Sequence, residues 1–253
     1  LGIGNSSHLD PLPPDRMTAR QTLYLWLGAI YITSLVLANI IGVKLFRFDL
    51  DLGGLGSIPV EHTMGMLPFP ITFLLTDLIN EYYGKRGARR IVFVAFGMAA
   101  FAYLLIWISR VAPILEGIPG TATQESFENI FGAASLMYIA SLIAFLCGSL
   151  LDITLFGFFK RLTRGKMVWL RATGSTVISQ LFDSFVVTFV FFYFIPLIMG
   201  GQTAEVGWII GTALTGYILK FVLAVLITPM IYLGRWIIRA WFGLRPLPVP
   251  HAV

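Results

Sequence analysis

Five ionisable side chains, Asp77, Glu81, Asp152, Asp183 and Lys220, lie in stretches whose apolar character argues against them. Asp183 stands inside the run 172–199, which carries no other charge and is crowded with phenylalanine. A charge at the centre of a membrane helix costs on the order of 2.5–3.5 kcal/mol, so it persists when it pairs or serves a polar cavity. At about 1.5 Å per residue, Asp183 lies about 18 Å from Arg171 and Lys220 about 22 Å from Arg235, similar depths that let them pair. Asp77 and Asp152 each lie about 12 Å from a basic helix end, Lys85 and Lys160, and can join that network. Glu81 sits at i,i+4 spacing from Lys85 and can pair with it or reach the interface. A buried ion pair that only fixes helix register is the plainer alternative for Asp183 and Lys220.

The neighbours favour a pocket. Thr176, Gln180 and Asp183 fall on one narrow helical stripe with Ser179 beside them, Asn80 and Glu81 follow Asp77 by three and four, and Tyr217 precedes Lys220 by one turn. Carboxylate and amide accept paired N–H donors, lysine donates to a ring carbonyl, and Phe73, Phe182, Phe185 and Tyr217 offer flat faces. This chemistry suits a small, polar, planar solute without naming one.

The elements that must carry these residues are membrane helices. Of 253 residues, 57% are hydrophobic and 12% charged, with a mean hydropathy of +0.82. The apolar residues come in runs of membrane-spanning length, without the short alternating strands of a membrane barrel. Gly/Pro punctuation and charge predict an all-α polytopic protein of six transmembrane helices, near 21–46, 66–84, 90–112, 133–159, 172–199 and 207–234. The glycine-rich connection 47–65 can form a short hairpin, and 113–132 a short amphipathic surface helix. Most of the 18 basic residues cluster at one set of helix ends: Arg16 and Arg20, Lys85 to Arg90, Lys160 to Arg171, and Arg235 to Arg245. Positive charge favours the cytoplasmic face, which predicts both termini inside. The pI near 9.5 therefore reflects topology, and no direct nucleic-acid binding is expected.

A polar segment 1–20, a membrane domain 21–234 and a cytoplasmic tail 235–253 complete the expected organisation. The first residues lack the apolar core of a signal peptide, and Met17 is a plausible native start. Cys147 is the sole cysteine, so no intrachain disulfide forms, and no cofactor is expected.

At this point FPITFLLTDLINEYYGKRGARRIVF (69–93), GSTVISQLFDS (174–184) and GYILKFVLAVLITPMIY (216–232) resemble the signature segments of the queuosine precursor transporter, or vitamin uptake transporter, family. LVLANIIGVKL (35–45) and LLDITLFGFFKRL (150–162) are similar to its first and fourth spans. The resemblance implies a six-helix bacterial inner-membrane importer of deazaguanine bases, chiefly 7-cyano-7-deazaguanine, for queuosine synthesis. It implies an architecture like the substrate-binding components of energy-coupling vitamin transporters. Carried onto matching positions, it points to Asp77, Glu81, Asp152, Gln180, Asp183, Tyr217 and Lys220, with Asn39 and Lys44 beside them. Gln180 stands where some relatives carry asparagine.

Alternatives stay open at this level. A vitamin or another purine-like solute fits the same chemistry, with ATP hydrolysed by partner subunits, since no G-x-x-x-x-G-K-[ST] occurs here. An enzyme is not expected. GSLLD and QLFD lack the GxGD form of an intramembrane aspartyl protease, no H-E-x-x-H or G-x-S-x-G occurs, and His8, His62 and His251 lie outside the spans. Gly207-x-x-x-Gly211 is ordinary helix packing, and the sequence leaves room for a homo-oligomer.

Overall fold

The computed structural model describes residues 17–51, 57–115, 118, 120–132 and 135–248. Its elements run α1 (Ala19–Ile41), β1 (Leu45–Asp51), β2 (Ser57–Thr63), a 3₁₀ turn (Met64–Met66), α2 (Phe69–Val111), α3 (Gln124–Phe131), α4 (Ser135–Leu162), α5 (Val168–Phe189), a π-helical segment (Val190–Phe194), α6 (Ile195–Met199) and α7 (Val206–Phe242). Among the described residues, five helical stretches are long and apolar enough to cross a membrane. The chain is an all-α membrane protein with one small hairpin.

Thr18 starts α1 with a capping box, its hydroxyl accepting from the Gln21 N–H while Gln21 reaches back to the Thr18 N–H. The helix ends at Ile41 and not near residue 46 as expected, because Leu45–Asp51 pairs antiparallel with Ser57–Thr63, Leu45 opposite Thr63. The connection 47–65 thus holds the hairpin foreseen for it. The connection 113–132 holds α3, which Arg110 at the end of α2 ties down through Glu128 (2.7 Å).

The second and third expected spans run together as α2, but Gly84 interrupts it with φ 70° and ψ 179°. That left-handed φ costs a residue with a Cβ and suits glycine. Two helical arms result, 69–83 and 85–111. Further on, Pro196 has no N–H for the Phe192 carbonyl. The helix answers with the π-helical segment, and the Ala204 N–H donates to that carbonyl instead (3.1 Å). The last helix passes the expected end at residue 234 and stops at Phe242, where Gly243 takes φ 63°.

Large apolar side chains such as Trp26, Phe93, Phe101, Trp107, Phe158 and Trp236 face outward. The interior combines Tyr31, Ile79, Phe145, Ile153 and Phe156 with small residues, Ala88, Ala95 and Ala99, that let helices approach closely. It also holds nearly all the polar groups of the apolar runs. In hydrocarbon such groups are sheltered between helices, and that shelter is the site.

Candidate functional site

At the hairpin end of the bundle lies a cavity of about 390 Å³, within the size range of small-molecule sites. The end of α1 (Leu35, Asn39), Val43 just after it, Met66, Phe69, the start of α4 (Tyr138, Ser141, Phe145) and α3 (Asn129) wall it. Asp183 of α5 and Lys220 of α7 form its charged floor, joined by a buried ion pair through Lys220 Nζ and Asp183 Oδ2. Their similar depth along the sequence allowed these two residues to pair, and the structure joins them. Two neighbours hold the pair in place. Lys220 Nζ sits 5.4 Å from the centre of the Phe69 ring, a cation–π distance. On α4, a Cβ added to Gly148 would lie 3.2 Å from Asp183 Cβ, so the absent side chain makes room for the acid.

Beneath the floor a small cavity of about 20 Å³ is shared by Asp183, Gln180, Asp152, Ser149, Thr76 and Tyr31. Asp152 accepts from Ser179 Oγ (3.2 Å) and Thr176 Oγ1 (3.4 Å). Gln180 is buried and its Oε1 has no protein partner. Further down, a cavity of about 10 Å³ lies between Asp77, Thr173, Thr176 and Thr228. There Asp77 Oδ1 is likewise buried without a protein partner, while Asn80 Nδ2 donates to the Ile153 carbonyl (3.2 Å). Asp183, Gln180, Asp152 and Asp77 thus descend in a connected polar track, each cavity sharing a residue or a hydrogen bond with the next.

Glu81 departs from its expected place. It pairs with Arg171 (2.5 Å) and Lys160 (3.2 Å), not with Lys85. The break at Gly84 sends Lys85 out to solvent while Glu81 stays buried on the first arm. Arg171 is 1% exposed, although the charge pattern alone makes it a helix-end basic residue. The turn between α4 and α5 brings it in: Arg164 and Gly165 both take positive φ, and the Gly165 carbonyl accepts from Arg171 Nη1 (3.0 Å). Its position one turn before Ser175, within the polar stripe of α5, was the available signal.

Of the remaining candidates, Asn39 lines the large cavity with its Nδ2 bonded to the Leu35 carbonyl (3.0 Å). Tyr217 is half-buried, packs on Phe221 with ring centres 6.2 Å apart, and lines none of the three cavities. The Lys44 side chain is exposed. Phe73 lines both small cavities, whereas Phe182 faces outward and Phe185 stacks on Phe189. Sequence reasoning missed Met137, Tyr138 and Ser141, which nothing but the packing of α4 against α2 and α5 brings to the wall.

The chain is 29% identical over 217 residues to the "Probable queuosine precursor transporter" of Bacillus subtilis (strain 168), covering 85% of this chain and 84% of the relative. It is 29% identical over 186 residues to the protein of the same name from Haemophilus influenzae, covering 72% and 74%. The "Queuosine precursor transporter" of Escherichia coli (strain K12) is 27% identical over 179 residues, covering 71% and 73%. No solved structure matches the chain. The family model described as "Putative vitamin uptake transporter" matches residues 63–234, which includes Asp77, Asp152, Asp183 and Lys220, and the chain belongs to that family.

Proposed function

We propose that this protein imports queuosine precursors, 7-cyano-7-deazaguanine and related deazaguanine bases, across the bacterial inner membrane. The observation that carries the reading is the buried Asp183–Lys220 pair, with Gln180 beside it, at the floor of a cavity sized for one base. The names of the three relatives support it. With Oδ2 engaged by Lys220, Asp183 offers Oδ1 as an acceptor for an N–H group on the guanine-like edge. The unpartnered Gln180 Oε1 in the small cavity just below becomes a second acceptor once the solute settles past the floor. Lys220 has further N–H donors for the ring carbonyl, and Phe69 offers a face for stacking. Asp152 and Asp77 complete the polar network below, and Asn39 contacts solute from the side wall. Taking the arms of α2 as two passes gives six in all, like the substrate-binding components of energy-coupling vitamin transporters. The basic ends face the cytoplasm, with both termini inside.

The family description supports a second reading, in which the solute is a vitamin. Partner subunits would then supply ATP hydrolysis, for which this chain has no G-x-x-x-x-G-K-[ST]. Purified protein reconstituted alone in liposomes separates the two. Uptake of radiolabelled 7-cyano-7-deazaguanine, competed by guanine less well than by unlabelled substrate and unaffected by vitamins, is the expected result. Absence of any deazaguanine uptake or binding by correctly inserted protein would sink the first reading.

A further inference from the structure

The large cavity lies at the hairpin end, yet a transport path must also open at the other. That end is closed by a set of contacts that the solute-binding role does not use. Glu81 on the first arm of α2 holds Lys160 of α4 (3.2 Å) and Arg171 of α5 (2.5 Å), which ties three helices together at one carboxylate. A strap after α7 then crosses this cluster. The Leu247 N–H donates to the Glu81 carbonyl (3.0 Å), and the Leu247 carbonyl accepts from Lys160 Nζ (3.0 Å). The Leu247 side chain lies against Gly84, 3.4 Å from where a Cβ would stand.

The break at Gly84 explains why the strap is needed. The last carbonyls of a helix have no N–H within it. Here the Glu81 carbonyl is satisfied by Leu247 and the Tyr82 carbonyl by Arg20 Nη2 of α1 (2.5 Å), both from outside α2. Such partners can be exchanged without unravelling a helix. Among the described residues the cluster also leaves Arg171 Nε buried with no protein partner, and it sets one carboxylate against two cations. A purely architectural ion cluster gains by satisfying every group. One that remains short of partners can give up its closed arrangement more readily.

We propose that Glu81, Lys160, Arg171 and the Leu247 backbone form the closed gate of the transport path at the basic end of the bundle, with Gly84 as its hinge. This rests on the transport reading above. Opening separates the first arm of α2 from α4 and α5, lifts the strap, and connects the polar track through Asp77 to the far side. Glu81 is then a gating residue and not a solute ligand.

The test uses full-length protein in liposomes, with Cys147→Ala and a reporter, Ala172→Cys. Ala172 is buried beside Arg171 and lines the lowest cavity with Asp77. A membrane-impermeant thiol reagent measures its accessibility without any substrate, so failure of the deazaguanine assay leaves this readout intact. Leu247→Pro removes the strap's N–H between two existing prolines, and Glu81→Gln removes the charge at the centre of the cluster. Each should raise the labelling rate roughly tenfold, the effect of losing one or two hydrogen bonds from the closed state. Lys160→Arg keeps the cation and should label at the parent rate. Parent-like labelling in Leu247→Pro, whose position at the end of the bundle spares the core, would overturn the proposal even if Glu81→Gln failed to fold. Fast labelling in Lys160→Arg equal to that of Glu81→Gln would also overturn it, since charge would not be what closes the gate.

Discussion

At the scale of single residues, the site depends on one ion pair held in an apolar frame. Lys220→Met leaves Asp183 buried without its cation, a change that costs about 3–5 kcal/mol. It should lower the thermal midpoint of the purified protein, and pairing it with Asp183→Asn should restore most of the loss while uptake stays abolished. A double-mutant cycle read by thermal unfolding in detergent checks this, and additive losses would show that the two side chains do not couple. Asp183→Ala and Gln180→Ala each remove an acceptor proposed for the solute edge. A fall in deazaguanine affinity of roughly tenfold or more is expected for Asp183→Ala, consistent with about 1.5–3 kcal/mol for a hydrogen bond involving charge. For Gln180→Ala the fall should be roughly two- to tenfold, since a neutral hydrogen bond is worth about 0.5–1.5 kcal/mol. Gly148→Ala acts more narrowly. Its new methyl would meet Asp183 Cβ at 3.2 Å, so binding should weaken while expression and insertion hold.

At the scale of elements, two irregular places make straight helices useful. Gly84 breaks α2, and Gly84→Ala places a Cβ on a left-handed φ of 70°. With ψ at 179° this backbone is a region almost confined to glycine, so the cost is about 1–3 kcal/mol and the thermal midpoint should fall accordingly. Unchanged stability in this variant would mean that the break is not held as described. The aspartate stripe of α5, the break near Lys85 and the two short connections were all legible, because periodicity and punctuation are local properties. The end of α1 was not legible. LFRFDLD continues the apolar run of α1 as well as it alternates like a strand, and only pairing with 57–63 decides between them. Arg171 and Lys160 were misjudged for a related reason. Charge counting treats basic residues at helix ends as solvated, whereas the tight turn at Arg164 and Gly165 holds Arg171 inward and Glu81 draws in Lys160.

At the scale of the whole molecule, the helices between their exposed basic ends are apolar outside and carry charge inside, an inversion that a bilayer imposes. In the transport reading, solute enters from the hairpin end and leaves past Glu81. Reconstituted protein without partner subunits should therefore sustain uptake, and strict dependence on an added ATPase module would favour the second reading.

The sequence by itself determined the membrane class, the matching heights of Asp183 and Lys220, the polar stripe beside them and the family. These follow from hydropathy, from 1.5 Å of rise per residue and from short motifs, all properties of neighbouring residues in one chain. Only the tertiary structure decided which charges meet. It joined Asp183 to Lys220, took Glu81 away from Lys85 and gave it to Arg171 and Lys160, and left Tyr217 off the cavity wall. Pairing across helices depends on rotation, kinks and close approach, and no spacing along one helix encodes those.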